Sequence, residues 1–143
     1  MPMPAYDPDN VFAKILRGEL PCHKLYEDDL TFAFMDIMPR ADGHALVIPK
    51  NPSRNLLEID PSDLAAVMAT VQIVARAAMK AFNAQGITIQ QFNEAAGGQV
   101  VFHTHVHILP RHEGVSLRPP TSQMAANEIL ARHADILRAA LES

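Results

Sequence analysis

The sequence predicts an α+β fold: a five-stranded antiparallel sheet with a short N-terminal helix, one long helix between strands 3 and 4, and a C-terminal helix. Three observations carry that expectation. Five short runs of strand-type residues are bounded by turn-forming residues. One long apolar series with helical spacing separates the third run from the fourth. A last amphipathic segment closes the chain. Its 143 residues suit a single domain.

Pro2, Pro4 and Pro8 mark residues 1–8 as a flexible N-terminal arm. Asp9 or Asn10 can cap a short helix whose apolar face is Val11, Phe12, Ile15 and Leu16, stopped by Gly18 and Pro21. Strands are expected over 24–27 and 31–36, with Asp28-Asp29 as the turn. Alternation puts Phe32, Phe34 and Asp36 on one face of the second strand and Ala33, Met35 and Ile37 on the other. A loop with Pro39, Asp42 and Gly43 leads into a third strand over 44–48, ended by Pro49, and 50–59 reads as irregular. Asp60-Pro61-Ser62-Asp63 is a strong helix start: a cap, a proline in the first turn, and an acid at the positive end of the dipole. Leu64, Val67, Met68, Val71, Ala75, Ala78 and Phe82 carry that helix toward Gly86. A fourth strand is expected over 87–92, and the Gly97-Gly98 turn feeds a fifth over 100–109. The last helix, near 122–141, places Ile129, His133, Ile136, Leu137 and Ala140 on one side. The division is therefore an arm (1–8), a domain (9–112) and a C-terminal extension (113–143) packed on it.

Composition narrows the function classes. A formal net charge of −4 disfavours a surface that coats nucleic acid. One cysteine, Cys22, allows no disulfide within the chain and no all-cysteine metal site. The opening residues lack a basic head followed by an apolar run, and no run of about 18 apolar residues occurs. The expectation is a small cytoplasmic protein with neither nucleic acid nor membrane as partner.

The informative segment is Val101-Phe102-His103-Thr104-His105-Val106-His107-Ile108-Leu109-Pro110, which holds three of the 7 histidines. On a strand, His103, His105 and His107 share one face, while Phe102, Thr104, Val106 and Ile108 share the other. Two chemistries suit such a row. One is metal binding, with Asp36, Asp42, His44 and His112 as further ligand candidates. Against a single shared ion, the outer two Cβ atoms of an extended row stand about 13 Å apart at ~3.3 Å per residue. The other chemistry is nucleophilic, since a neutral imidazole can attack phosphorus while its neighbours bind phosphate or move protons. Gly97-Gly98 would let backbone N–H groups approach an anion closely.

The triad with its apolar partners, His103-Thr104-His105-Val106-His107-Ile108-Leu109-Pro110-Arg111, resembles that of the histidine triad (HIT) family of nucleotide hydrolases and transferases. The resemblance extends through Phe12-Ala13-Lys14-Ile15, Gly18-Glu19-Leu20-Pro21, Phe34-Met35-Asp36-Ile37, Gly43-His44-Ala45-Leu46-Val47-Ile48-Pro49-Lys50, Phe92-Asn93-Glu94 and Gly98-Gln99. It implies a five-stranded antiparallel sheet and a homodimer whose two sheets join. It also implies that His105 attacks the α-phosphate of a purine nucleotide and forms a nucleotidyl-histidine that water cleaves. His103 and His107 would flank that nucleophile and contact phosphate, with His44 packed beside the triad. Asp36 would take the ribose hydroxyls, Phe12, Ile15, Phe34 and Ile37 would wall the base, and Asn93, Gly98 and Gln99 would reach the phosphates. Each has a plainer reading: the apolar four as core, Asp36 as a turn former, Asn93 as a turn cap.

Two departures matter. Some relatives hold a structural zinc where this chain has Asn10, Ala13 and Pro52, leaving only His103, so no metal is expected. Where relatives often place Ser or Thr after Gly-Gln, Val100 has no hydroxyl. His107 in place of the glutamine typical of the transferase branch favours a hydrolase. The expected activity is cleavage at the α-phosphate of a purine nucleoside phosphoramidate or a dinucleoside polyphosphate, without cofactor. A non-catalytic purine nucleotide-binding module and a histidine-ligated metal enzyme are the alternatives.

Overall fold

A computed structural model describes residues 3–120 and 123–143. The elements run α1 (Val11–Leu16), β1 (Lys24–Glu27), β2 (Thr31–Met35), β3 (Ala45–Pro49), α2 (Pro61–Ala81), β4 (Gly86–Gln90), a 3-10 turn (Ala95–Gly97), β5 (Val106–Arg111) and α3 (Asn127–Leu141). The five strands form one antiparallel sheet in the order β1-β2-β3-β5-β4. This is the expected α+β architecture.

Local chemistry accounts for the element ends. The Asn10 side chain accepts the Ala13 N–H at 2.9 Å and starts α1. Asp60 accepts the Ser62 N–H at 2.8 Å and starts α2, with Pro61 in the first turn. In the β1–β2 turn, one Asp28 oxygen accepts from the backbone of Leu30 and Thr31. α2 closes when Asn83 turns left-handed (φ 48°), before Gly86, which opens β4 instead. The last helix begins at Asn127; residue 122, where it was expected to start, lies outside the described residues.

Both faces of β2 and β3 are buried. On one face, Ala33, Met35, Ala45, Val47, Val106 and Ile108 pack under Val67, Val71 and Val74 of α2 and Leu130, Ala134 and Leu137 of α3. By length and composition α2 could cross a membrane, but here it is the helix that covers the sheet. On the other face, Phe32, Phe34, Leu46 and Ile48 pack with Phe12 of α1. Leu46 pairs with His107 in the β3–β5 ladder, so His107 stands on that second face.

Three expectations need correction. The fifth strand begins at Val106, not at residue 100, so only His107 of the triad lies on a strand. The fourth ends at Gln90, leaving Phe92 in the loop, and β3 starts at Ala45, one residue after His44. For the fourth and fifth strands the cause is a dense side-chain network over 91–105, which replaces ladder pairing with loop-specific hydrogen bonds.

The extension straps the loop that precedes His44. Arg118 N–H donates to the Arg40 carbonyl, and the Arg40 guanidinium donates back to the Arg118 carbonyl, each at 2.8 Å. Ala125 N–H donates to the Ile37 carbonyl at 3.0 Å.

Candidate active site

The histidines form two hydrogen-bonded arms that meet at His105. In the first, His103 Nε2 donates to the Pro49 carbonyl at 2.8 Å, which leaves Nδ1 as an acceptor for the Tyr6 hydroxyl at 2.6 Å. The main-chain carbonyl of the same His103 accepts His105 Nδ1–H at 2.7 Å. His105 therefore carries its proton on Nδ1 and presents Nε2 as a lone pair.

The second arm is a proton-fixed relay. Arg40 N–H donates to His44 Nδ1 at 3.0 Å, so neutral His44 holds its proton on Nε2. That proton is donated to His107 Nδ1 at 2.9 Å, which leaves His107 protonated on Nε2. The His107 ring meets His105 edge-on with centroids 5.0 Å apart, and Phe12 covers His105 at 4.9 Å in the same fashion. An unprotonated ring nitrogen and an N–H donor thus sit on adjacent rings.

Burial keeps these rings neutral. It pushes His44 and His107 down to about 3, helped in both by the nearby Arg40 charge and His105, and it pushes His103 down to about 4. His105 is lowered by the same cause, with its bond to the His103 carbonyl acting in the opposite sense. Burial raises Asp36 to about 6, against the Met38 N–H it accepts at 2.8 Å. Asp36 Oδ2 lies 3.4 Å from His44 Nε2. With His44 neutral, that approach is a dipolar contact and no ion pair.

Asp36, His44 and His107 offer three ligand atoms within 4.8 Å of one another. A cation there would need the His44 Nε2 lone pair and so a proton on Nδ1. Arg40 N–H already points at Nδ1, and two donors would then face each other. The donor set fits a hydrogen-bond relay better than a metal centre.

The structure brings His44, His103, His105, His107, Asp36 and Phe12 together, and it gives the donors expected at the phosphates partners within the protein. His103 is fully buried, and both of its ring nitrogens are engaged within the protein. The Gln99 amide donates to the carbonyls of Arg54 and Val101 at 2.7 and 3.0 Å, and its oxygen accepts from Asn55 and from Glu94 N–H. The Asn93 amide donates to Gln91, while its oxygen accepts Leu56 N–H. Gly97 and Gly98 N–H groups turn inward onto the carbonyls of Glu94 and Ala95. In this geometry the same donors hold the loop together. Gly98 has φ 99°, and a Cβ there would press on the Phe92 ring. Phe34 is core and Ile37 is exposed, while Ile15 is half-buried beside Phe12.

At the positions of the expected vacant zinc site, Asn10 caps α1 and Ala13 is core. Sequence reasoning missed Tyr6, Arg40, Phe92 and the Arg54–Glu94 pair. Phe92 packs on His107 with ring centroids 5.5 Å apart. Arg54 grips Glu94 through two bonds of 2.7 and 3.0 Å and lies 4.1 Å over the Phe102 ring. Glu94 itself has a positive φ of 65°, a strained position that this grip holds. Only its place in Phe92-Asn93-Glu94 signalled Glu94 beforehand.

A neutral imidazole with a directed lone pair, beside a second imidazole held as an N–H donor, defines a histidine-centred site on an antiparallel α+β sheet. Residues 17–114 match the HIT domain, and the chain belongs to the HIT family. An adenylylsulfatase of Arabidopsis thaliana is 44% identical over 125 residues, 87% of this chain, which spans 60% of that relative's length. An adenosine 5′-monophosphoramidase of Schizosaccharomyces pombe is 35% identical over 124 residues, 85% of this chain and 90% of that protein. A solved HIT-like protein of Bartonella henselae, described as involved in cell-cycle regulation, has a TM-score of 0.90 and 53% identity over 95% of this chain and 99% of its own.

Proposed function

We propose that the protein is a nucleotide hydrolase that cleaves at the α-phosphate through a nucleotidyl-histidine on His105. The observation that carries this reading is the His105 Nδ1–H bond to the His103 carbonyl, which leaves Nε2 unprotonated. In the first step Nε2 forms a bond to the α-phosphorus as the bond to the leaving group breaks. The leaving amine or phosphate takes a proton from His107 Nε2–H, the adjacent donor that the His44 relay maintains. In the second step water attacks the phosphorus, returns a proton to His107, and releases the nucleoside monophosphate and free His105. Asp36, ionised above about 6, is the acceptor for ribose hydroxyls on the same face.

The phosphoramidase and adenylylsulfatase names of the relatives support a purine nucleotide with a small leaving group as the substrate class. A homodimer is part of the reading. β4 is an edge strand with exposed Ile89, and α2 exposes Met68, Ile73 and Met79. Light scattering at micromolar concentration tests it: a monomer mass removes the dimer and leaves the chemistry untouched.

Intact-protein mass spectrometry after rapid neutral quenching tests the chemistry, with adenosine 5′-phosphoramidate and diadenosine tetraphosphate offered to the wild type and His105→Ala. An adenylyl adduct on the wild type alone is expected. Saturable AMP binding without adduct or product would replace the hydrolase with a binding module.

A further inference from the structure

We propose that Tyr6, on the N-terminal arm, is a positioning residue for the nucleophile: its hydroxyl fixes the His103 ring and thereby the carbonyl that orients His105. The inference rests on the hydrolase reading for its kinetic consequence, and on geometry alone for its structural one.

His103 is fully buried, so each ring nitrogen needs a partner. The Pro49 carbonyl can only accept, which assigns the ring proton to Nε2. Nδ1 is then a pure acceptor, and the Tyr6 O–H donates to it at 2.6 Å across 97 residues of sequence. Burial raises the Tyr6 phenol, so the donor stays protonated across the working pH range. The two rings also meet edge to face with centroids 5.7 Å apart. His103 is thus held at both nitrogens, while its own carbonyl takes His105 Nδ1–H. The two ring bonds anchor, through its side chain, the residue whose carbonyl orients His105.

The arm is itself anchored. Asp7 accepts Asn10 N–H on its carbonyl and Asp9 N–H on its carboxylate, and Arg17 donates to the Pro8 carbonyl at 2.8 Å. The turn that ends in the Asn10 cap therefore delivers two aromatic rings to adjacent histidines: Tyr6 to His103 and Phe12 to His105. Nothing else in the proposed chemistry uses Tyr6, whose hydroxyl would otherwise serve no part of the site.

The test compares Tyr6→Phe, which removes one oxygen and keeps the ring, with Tyr6→Leu, which removes both. Steady-state turnover of adenosine 5′-phosphoramidate and 15N spectra of the histidine ring nitrogens are recorded for each, with thermal melts to establish cooperative folding. Both variants are expected to lose kcat by a similar factor of about ten, the equivalent of one hydrogen bond, with KM changed less than about twofold. The His105 spectrum is expected to change from a single Nδ1–H tautomer to a mixture. Wild-type kcat in Tyr6→Phe overturns the proposal, and so does a kcat loss with His105 still in one tautomer, since that loss would come from packing. If the wild type itself neither forms an adduct nor turns over, the hydrolase reading fails. The ring-nitrogen spectra of wild type and Tyr6→Phe then decide the positioning role by themselves.

Discussion

Substituting His44 separates its two hydrogen bonds, because Asn and Gln each imitate one ring nitrogen. Asn places an oxygen near Nδ1 and can still accept from Arg40, but it does not reach His107. Gln carries an amide NH2 near the Nε2 position and can still donate to His107 Nδ1. The bond at stake is 2.9 Å long and lies between a buried ring and a half-buried one. Leaving such an acceptor unmatched costs about 1–3 kcal/mol. If that whole cost falls on the transition state, kcat drops between about 5- and 150-fold, at 1.36 kcal/mol per factor of ten. Borne by the folded state, the same cost lowers the melting temperature by about 2–12 °C for a domain of this size. His44→Asn should therefore lose most of the rate, and His44→Gln should lose less. Single-turnover formation of the adenylyl adduct is the assay, with melts run in parallel. Equal losses in the two variants, or a greater loss in Gln, would refute a relay that works through the Nε2 proton.

Two further predictions concern protons and packing. His44, His103 and His107 have folded pKa values of about 3, 4 and 3, below their unfolded value of about 6.5, so the unfolded chain binds more protons as pH falls. Stability is whole above pH 6.5 and drains through the window below it, by about 1.4 kcal/mol per pH unit for each imidazole. Asp36 works the other way, because its raised value near 6 makes the folded state bind the extra proton between about 6 and 4 and returns one such increment. With the lowered His105 adding in the same sense, the net slope near pH 5 is at least about two imidazoles' worth, roughly 3 kcal/mol per unit, and urea midpoints that stay level from pH 7 to 4.5 would sink the burial argument. Gly43→Ala tests the approach to His44: Gly43 has φ 82°, and a Cβ there would collide with the Phe82 ring. Left-handed strain of about 1–2 kcal/mol plus overpacking of about 1–3 should exceed the effect of Gly18→Ala, which has similar φ but open space around it. Urea unfolding of both variants decides it, and equal losses would mean that Phe82 simply moves aside.

Much of the frame was legible because its signals are local. Residues 24–27 form β1 as read, and Asp60-Pro61 starts α2 where capping chemistry says it should. The face assignment in β2 also holds, since Phe32 and Phe34 pack in one cluster and Ala33 and Met35 in the other. Nonlocal partners were not legible. Tyr6 and His103 are 97 positions apart, Arg54 and Glu94 are 40 apart, and no periodicity links such pairs. The internal partners of Gln99 were illegible for a related reason: an amide beside a glycine pair carries no sign in the sequence that the Arg54 and Val101 carbonyls accept from it.

The shortening of the fifth strand has a chemical consequence for the triad. In a regular strand the carbonyl of one residue lies in the sheet plane, toward the neighbouring strand, while the side chain two residues on stands roughly perpendicular to that plane. His103 C=O could not then meet the ring of His105. Because residues 103–105 precede β5, the chain bends there. Thr104 N–H bonds the Ser53 carbonyl at 2.8 Å, and the two hydroxyls of that pair meet at 2.7 Å. Pinned this way, the irregular stretch turns the His103 carbonyl onto His105 Nδ1 and selects its tautomer. His107, one residue into the regular strand, receives its tautomer from a side chain instead, through His44. The break in the strand gives the central histidine its free lone pair. A variant that extended β5 back to residue 103 would keep the row and lose the bond that fixes the His105 tautomer.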